Sequence, residues 1–215
     1  MTHLMVNEIY ASIQGEAYYS GWPCIFLRLT GCPLRCNWCD TVHGFHGGEE
    51  KSLDEIQSKI ESYNIPRVLF TGGEPLFQKH TIPLMEKIIQ ETRIKILLET
   101  SGSICIKKVP QDVHIIMDIK CPDSKMASYN KEENINYLKN SDEVKFVVAS
   151  PNDLKWAKDF ITNTELNKKA NILISPAWGL IEAKKIASWL IEENLDYKLN
   201  LQIHKYIWSP RQKKV

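Results

Sequence analysis

The sequence predicts an α/β protein in which parallel strands form a partial, open β/α barrel of the TIM type. Short apolar runs rich in β-branched residues alternate with amphipathic stretches, as expected when each strand leads into a helix that covers the sheet. About six or seven such units fit into the 215 residues, which is fewer than the eight units of a complete (β/α)₈ barrel. The barrel is therefore predicted to stay open.

Seven segments are predicted to form strands because they are short and apolar and contain many β-branched residues. They are Cys24–Thr30, Arg67–Thr71, Ile94–Thr100, Val113–Ile119, Glu143–Ala149, Asn171–Ser175 and Lys198–His204. Four segments between them carry apolar residues at helical spacing. They are Ser52–Tyr63, Thr81–Arg93, Asn152–Thr162 and Leu180–Glu193. The first of these helices begins with Ser52-Leu53-Asp54-Glu55, a capping-box sequence.

Composition and charge narrow the classes of function. Lys and Arg number 27 and Asp and Glu number 26, so the net charge of +1 gives no reason to expect a nucleic-acid or membrane partner. No stretch approaches the ~20 apolar residues of a membrane helix, and the first residues do not resemble a secretory signal. We therefore expect one cytoplasmic domain over residues 1–215, whose six cysteines stay reduced.

Residues of unusual type follow the carboxyl ends of the predicted strands. They are Gly31-Cys32, Gly72-Gly73-Glu74, Ser101-Gly102, Lys120, Ser175-Pro176 and His204-Lys205. In parallel α/β proteins, this end of the sheet is where ligands bind. The spacing along the chain therefore predicts one site to which all these segments contribute.

Cys32, Cys36 and Cys39 form a C-x3-C-x2-C cluster in the loop over residues 31–41. Three thiolates on one short loop can bind a soft metal centre. Zinc with His43 as a fourth ligand is one interpretation, and inert buried cysteines are another. An iron–sulfur cluster is a third interpretation, and it would leave one iron without a protein ligand because such clusters usually take four cysteines.

Two motifs together resemble the signatures of the radical S-adenosylmethionine (SAM) enzymes. The cysteine loop follows the first predicted strand and has an aromatic residue, Trp38, just before its third cysteine. Thr71-Gly72-Gly73-Glu74-Pro75 resembles the second motif of that superfamily, whose glycines and acid lie against the methionine amino group. The resemblance implies a radical SAM fold and a [4Fe–4S] cluster whose fourth iron binds SAM.

A finer resemblance, to the 7-carboxy-7-deazaguanine synthases, extends over nearly the whole chain. The matching segments are Asn7–Glu16, Gly21-Trp22-Pro23, Phe26–Leu29, Cys39-Asp40-Thr41, Glu99–Gly102, Asp118–Pro122 and Gln202–Tyr206. This resemblance implies conversion of 6-carboxy-5,6,7,8-tetrahydropterin to 7-carboxy-7-deazaguanine with loss of ammonia, a step of queuosine and other 7-deazapurine biosynthesis. It also implies Mg²⁺, a flavodoxin-like electron donor and a homodimer.

The same resemblance implies a set of substrate and Mg²⁺ contacts. The substrate-binding residues are Ile13, Gln14, Gly15, Arg28 and Thr71, and Thr41 is the ligand of Mg²⁺. Arg28 lies in an otherwise apolar run and needs an anion. The substrate carboxylate suits a guanidinium, but an ion pair with Glu8 or Glu16 remains open. Thr41 and Thr71 could also be simple caps of a turn and of a strand.

For SAM, the implied contacts are Asn37, Trp38, Cys39, Gly73, Glu74, Glu99, Ser101, Asp118, Ile119, Lys120, Ser175 and Pro176. His43 and His46 are expected to be solvated, and Cys24, Cys105 and Cys121 to be small buried residues. His204-Lys205 could approach the pterin, and within the C-terminal tail, residues 205–215, the stretch Trp208–Val215 has no assignment. Two other functions stay open, namely a radical SAM activating enzyme and a non-catalytic zinc module.

Overall fold

A computed structural model describes residues 2–209 and residue 212. Nine strands lie in these residues: β1 (His3–Ile13), β2 (Pro23–Leu29), β3 (Glu49–Ser52), β4 (Arg67–Gly72), β5 (Lys95–Thr100), β6 (His114–Lys120), β7 (Glu143–Val148), β8 (Asn171–Pro176) and β9 (Lys198–Leu199). The α-helices of the same residues are α1 (Leu53–Glu61), α2 (Thr81–Glu91), α3 (Pro151–Thr164), α4 (Ala183–Glu192) and α5 (His204–Ile207). None of these helices has the length and apolar character to span a membrane.

All nine strands belong to one sheet, in the order β3-β1-β2-β4-β5-β6-β7-β8-β9. The strands β2 and β4 to β9 run parallel, whereas β1 pairs antiparallel with both β2 and β3. Because β3 and β9 occupy opposite ends of this order, the sheet is an open barrel and not a closed one. The predicted α/β class and partial barrel are confirmed.

Period-2 alternation along each strand decides which side chains reach the concave face of the sheet. On β6, Ile115, Met117 and Ile119 belong to the hydrophobic core that the helices also form. Asp118 and Lys120 point to the other face. A second, smaller apolar cluster fills the concave face further down, at the amino-terminal part of the strands. Its members are Ala17, Cys24, Phe26, Leu69, Leu97, Ile116 and Leu173.

Six of the seven predicted strands agree with β2 and β4 to β8 within two residues at each end. The prediction of a seventh strand over Lys198–His204 is wrong beyond Leu199. The chain leaves the sheet after Asn200, whose backbone N–H still donates to Ile174 O. A turn then brings the chain back towards residue 15, since Ile203 N donates to Gly15 O over 2.9 Å.

Sequence periodicity did not identify two of the strands, β1 and β3. β1 is the longest strand of the described residues at 11 residues, but Asn7 and Glu8 interrupt its apolar pattern. The structure has a register shift between Val6 and Glu8, which indicates a bulge. A bulge changes the side to which the following residues point, so simple alternation cannot reveal this strand.

The predicted helices are confirmed with small shifts at their ends. Ser52 caps α1, and both hydrogen bonds of the capping box with Glu55 are present. The last predicted helix begins at Ala183 and not at Leu180. Gly179 has a φ of +78°, a left-handed conformation that belongs to a turn and not to an α-helix. This turn includes Leu180, whose N–H donates to Ala177 O over 3.0 Å, and α4 begins three residues later.

Candidate active site

A cavity of about 940 Å³ opens at the carboxyl ends of the parallel strands. Eighteen of the 20 candidate site residues line it: Ile13, Gln14, Gly15, Arg28, Cys32, Cys36, Asn37, Trp38, Cys39, Thr41, Thr71, Gly73, Glu99, Ser101, Asp118, Lys120, Ser175 and Pro176. These residues come from segments spread over most of the sequence. The alignment of parallel strands in one sheet brings them together, as the positions of the motifs predicted.

The three clustered cysteines face the cavity as free thiols. Burial raises the pKa of each thiol, and the positive charge of Lys120 opposes this shift at all three. Three soft sulfur donors beside a buried cation suit a negatively charged iron–sulfur cluster. In the described part of the chain, no three His, Cys, Asp or Glu side chains are arranged as a site for a single metal ion. His43 Nε2 instead lies 3.7 Å from Glu8 Oε2.

The glycines of the second motif lie directly against the first motif. Gly73 N donates to Leu29 O over 3.1 Å, and Glu74 N donates to Gly31 O over 2.8 Å. A Cβ on Gly73 would lie 2.2 Å from Gly31 O and 2.7 Å from Cys32 Cβ. Gly72, with a φ of +140°, has even less space, because its Cβ would lie 2.1 Å from Leu29 O. The glycine pair therefore holds the start of the cysteine loop in place.

Two candidate residues, Glu74 and Ile119, do not line the cavity. Glu74 is fully buried, and burial raises the pKa of its carboxyl group. Its carboxylate accepts hydrogen bonds from Thr100 Oγ1, from Leu76 N and from both the backbone N and Oγ of Ser101. Glu74 therefore joins the ends of β4 and β5. Ile119 lies in the outer core because its neighbours in β6 occupy the concave face.

Asn37 lines the cavity but also attaches the cysteine loop to the segment after β6. Its side-chain amide donates to Asp123 O over 2.7 Å, and its backbone N–H donates to Ser124 O over 3.2 Å. Arg35 N, in the same loop, lies 3.3 Å from Met126 Sδ. The loop that carries the three cysteines is therefore hydrogen-bonded both to the segment after β4 and to the segment after β6.

Lys145 is a central residue of the site that the sequence analysis did not identify. Its ammonium group lies 2.8 Å from Glu16 Oε2, 2.6 Å from Glu99 Oε1 and 3.5 Å from Asp118 Oδ1. The Lys145 side chain is 5% exposed. Although burial opposes its charge, the three carboxylates raise the pKa of Lys145 well above its usual value. The sequence did contain a sign of this role, because Lys145 lies among the apolar residues of β7.

Lys120 completes this charged group at the concave face. Its Nζ lies 2.6 Å from Asp118 Oδ2, and Asp118 in turn raises the pKa of Lys120 against the effect of burial. For Asp118, burial alone would raise the pKa, but Lys120 and Lys145 lower it. Thr71 Oγ1 donates to Glu99 Oε2 over 3.2 Å, so this threonine belongs to the same network and does not cap the strand.

Arg28 forms an ion pair with Glu8, which is one of the partners that the sequence left open for its charge. Arg28 Nε donates to Glu8 Oε2 over 3.1 Å, and Arg28 Nη2 donates to Tyr10 Oη over 3.3 Å. Burial opposes the charge, but Tyr10 and Glu8 raise the pKa of Arg28. The other candidate partner, Glu16, pairs with Lys145 instead. Arg28 still lines the cavity, so its remaining donors can bind a ligand.

Thr41 and Asp40 place two oxygen atoms just after the last cysteine of the loop. Thr41 Oγ1 donates to Asp40 Oδ1 over 2.9 Å. Lys205 of α5 lies 3.1 Å from Asp40 Oδ2. The Asp40 side chain is 55% exposed, and the ammonium group of Lys205 lowers its pKa to about 2 against the desolvation by neighbouring groups. A threonine hydroxyl beside a carboxylate is a set of hard donors of the kind that Mg²⁺ prefers.

The remaining histidines and cysteines differ in part from expectation. His43 lines the cavity, with Nε2 3.7 Å from Glu8 Oε2, whereas His46 is exposed. Cys24 and Cys121 are buried as predicted, but Cys105 is only half-buried. In the tail, Lys205 and Gln212 line the cavity. Its residues 210, 211 and 213–215 lie outside the described part.

We expect Gly73→Ala to destabilise the protein by about 1 to 3 kcal/mol, the usual cost of adding a methyl group to a filled space. The reason is the 2.2 Å approach of the new Cβ to Gly31 O. Gly44→Ala is the control, because a Cβ there has its nearest neighbour at 3.4 Å. The free energy of unfolding in urea measures both. Equal losses in the two variants would contradict a tight junction at Gly73.

We expect Lys145→Met to lower the free energy of unfolding by about 3 to 5 kcal/mol, because it leaves buried carboxylates without their cation. Lys87→Met is the matched control. Lys87 bridges Asp54 and Glu91 at the surface, where exposed ion pairs contribute little to stability. Lys120 and Lys145 lower the pKa of Asp118, so this part of the deficit should shrink as the pH falls through that lowered pKa, because a protonated Asp118 no longer needs the lysine. Similar deficits in both variants would contradict a special role for Lys145.

Comparisons with known proteins agree with the site. The model of the radical SAM superfamily matches residues 27–148. A 7-carboxy-7-deazaguanine synthase of Koribacter versatilis is 40% identical over 227 residues, which cover 99% of this chain and 100% of that protein. The corresponding synthase of Chlorobaculum tepidum is 38% identical and covers 96% of this chain and 95% of its own length.

The crystal structure of QueE from Escherichia coli has a similar fold. Its TM-score with this chain is 0.77 at 22% sequence identity, and the match covers 93% of this chain and 94% of the other. The family model, the full-length relatives and the arrangement of the cysteine loop against the glycine motif point to the same classification. This chain belongs to the radical SAM superfamily and, within it, to the family of 7-carboxy-7-deazaguanine synthases.

Proposed function

We propose that this protein converts 6-carboxy-5,6,7,8-tetrahydropterin to 7-carboxy-7-deazaguanine with loss of ammonia, as a step of queuosine or other 7-deazapurine biosynthesis. The observation that supports this most directly is the meeting of three groups of residues in one cavity. These groups are the three cysteines, the glycine motif, and the set of Gln14, Arg28 and Thr41. Relatives with the synthase name match the chain over nearly its full length.

Membership of the superfamily implies a [4Fe–4S] cluster and SAM. Cys32, Cys36 and Cys39 would hold the cluster, and one iron would remain for SAM. When bound, these cofactors supply the radical chemistry that removes a hydrogen atom from the substrate. The protein's own contribution is to bind and orient the two ligands in one cavity and to exclude water from them.

On the SAM side, Asn37, Trp38 and Gly73 provide the wall next to the cysteines. Further around the rim, polar and charged contacts would come from Glu99, Ser101, Asp118, Lys120 and Ser175, and an apolar contact from Pro176. Glu74 would act through the backbone of the ends of β4 and β5 and not by direct contact, because its carboxylate is occupied. Ile119 could contribute only backbone atoms.

On the pterin side, Arg28 would hold the carboxylate and the segment Ile13–Gly15 the edge of the ring. Gln14 is 3% exposed, and its Oε1 accepts a hydrogen bond from Gly15 N over 3.1 Å. This contact fixes the amide and leaves its NH₂ group as a donor. Thr71 also lies on the pterin side, and its hydroxyl is hydrogen-bonded to Glu99. Because Glu99 is already paired with Lys145, this part of the site needs no reorganisation when the substrate binds.

We also propose that Mg²⁺ binds beside the substrate, with Thr41 Oγ1 as a ligand and Asp40 as a second oxygen nearby. Hard oxygen donors and a substrate carboxylate suit this ion. Family resemblance further supports a single cytoplasmic domain that forms a homodimer and receives electrons from a flavodoxin-like donor. An activating enzyme for another substrate is less well supported, because Gln14, Arg28 and Thr41 all face the cavity.

Anaerobic turnover tests the proposed reaction. Reconstituted, reduced protein is incubated with SAM, Mg²⁺ and 6-carboxy-5,6,7,8-tetrahydropterin, and the products are separated by mass. We expect 7-carboxy-7-deazaguanine and ammonia in equal amounts, with tetrahydropterin lacking the carboxyl group as the inactive control. Cleavage of SAM without the deazaguanine product would contradict the substrate and leave a radical SAM enzyme of another specificity.

Cys36→Ala should abolish cluster binding, because it removes one of three thiolates that face the cavity. Cys105→Ala is the matched control, since Cys105 lies outside the cavity lining. Iron and sulfide per chain, measured after anaerobic reconstitution, compare the two variants. A full complement of iron in Cys36→Ala, or equal loss in both, would contradict the assignment of the cysteines.

Thr41→Ala should weaken the dependence of the rate on Mg²⁺ while the iron content stays that of the unchanged protein. Thr41→Ser keeps the hydroxyl group and should retain the Mg²⁺ response. Rates are measured over a series of Mg²⁺ concentrations for all three proteins. An identical response in Thr41→Ala and Thr41→Ser would remove the hydroxyl of Thr41 from the Mg²⁺ site.

A further inference from the structure

Arg28 is held from two sides by residues of the neighbouring strand. Glu8 and Tyr10 lie on β1, which pairs with β2 so that Glu8 is opposite Arg28 and Tyr10 is opposite Phe26. Glu8 accepts from Nε and Tyr10 Oη accepts from Nη2. A guanidinium has five N–H donors. These two contacts leave both donors of Nη1 and one of Nη2 for a ligand in the cavity.

The ion pair with Glu8 limits what Arg28 can do alone. Glu8 and Arg28 are both largely buried, with side chains 9% and 13% exposed, so the pair is close to neutral as a whole. An incoming carboxylate therefore meets a compensated guanidinium and not an isolated positive charge. Under these conditions, an additional neutral donor beside the guanidinium makes a larger difference to the binding of an anion.

Tyr10 has such a donor. Its Oη accepts the hydrogen bond from Arg28, so the hydrogen of the phenol is not used in this contact. Burial raises the pKa of Tyr10 despite the opposing effect of Arg28, which keeps the phenol protonated at neutral pH. The ring is fixed by stacking on Phe26, with centroids 5.1 Å apart and planes 9° apart. Tyr10 also lines the cavity.

We propose that the Tyr10 hydroxyl is a specificity-determining group that donates a hydrogen bond to the substrate carboxylate held by Arg28. This inference rests on the proposed function, since it takes a carboxylated pterin as the substrate. Tyr10→Phe removes this hydroxyl while it retains the ring that stacks on Phe26.

Equilibrium binding to the reconstituted holoenzyme tests this contact without turnover. The probes are 6-carboxypterin and pterin, which differ in the carboxyl group and are both fluorescent. Tyr10→Phe should weaken the binding of 6-carboxypterin roughly tenfold, the factor for one hydrogen bond to a charged group. The binding of pterin should stay within about twofold of the unchanged protein, since no such bond is lost. Equal weakening for both probes, or none for either, would overturn the inference.

Tyr63→Phe is the matched control. The hydroxyl of Tyr63 donates to Ile9 O on the same strand, over 3.1 Å, but Tyr63 lies outside the cavity lining. This variant loses a comparable hydrogen bond and should bind both probes as the unchanged protein does. If Tyr63→Phe lost as much affinity for 6-carboxypterin relative to pterin as Tyr10→Phe does, the effect would be a general one of β1, which would contradict a direct contact by Tyr10.

Turnover separates this inference from the proposed function. If the unchanged protein makes 7-carboxy-7-deazaguanine, Tyr10→Phe should raise KM for the carboxylated tetrahydropterin roughly tenfold and leave kcat within about twofold. An unchanged KM would overturn the role of Tyr10 alone. If the unchanged protein makes no such product, the proposed function fails, while the comparison of the two pterin probes still decides whether Tyr10 contacts a carboxylate.

Discussion

The close contact between the carboxyl ends of β2 and β4 is the constraint on which the rest of the site depends. The backbone of Gly73 and Glu74 is hydrogen-bonded to Leu29 and Gly31, and neither glycine of the second motif has space for a Cβ. The cysteine loop begins at this junction. Two motifs that are distant in the sequence are therefore parts of one backbone structure, and Glu74 extends it to β5 through its buried carboxylate.

Beyond this junction, buried charge organises the concave face of the sheet. Three carboxylates and two lysines form one connected group that carries one net negative charge, with Lys145 at its centre. Burying any of these charges without a partner would be costly. Each residue therefore fixes the position of the next one, and the cavity receives polar groups that are already oriented. This arrangement suits chemistry in which a reactive intermediate has to be kept away from water.

The substrate end of the cavity follows a different principle. Arg28 is neutralised by Glu8 before any ligand binds, so its positive charge does not by itself explain the binding of an anion. Geometry does, because the ion pair and Tyr10 orient the guanidinium and leave a defined set of donors towards the cavity. The carboxylate site is thus a matter of directed hydrogen bonds and not of net charge.

The sequence by itself determined β2 and β4 to β8, the order of the helices and which segments meet at the rim, because these depend on local apolar patterns and on the direction of parallel strands. Only the tertiary structure decided the partners of the charged residues. Lys145 meets Glu16, Glu99 and Asp118 because β5, β6, β7 and the segment after β1 are brought together in the folded chain. Similarly, Glu74 and Ile119 follow cavity-lining residues in the sequence but point away from the cavity, since the direction of a side chain depends on local backbone geometry. A bulge in β1 and the turn after Asn200 were hidden for another reason: both depend on pairing with residues far away in the sequence.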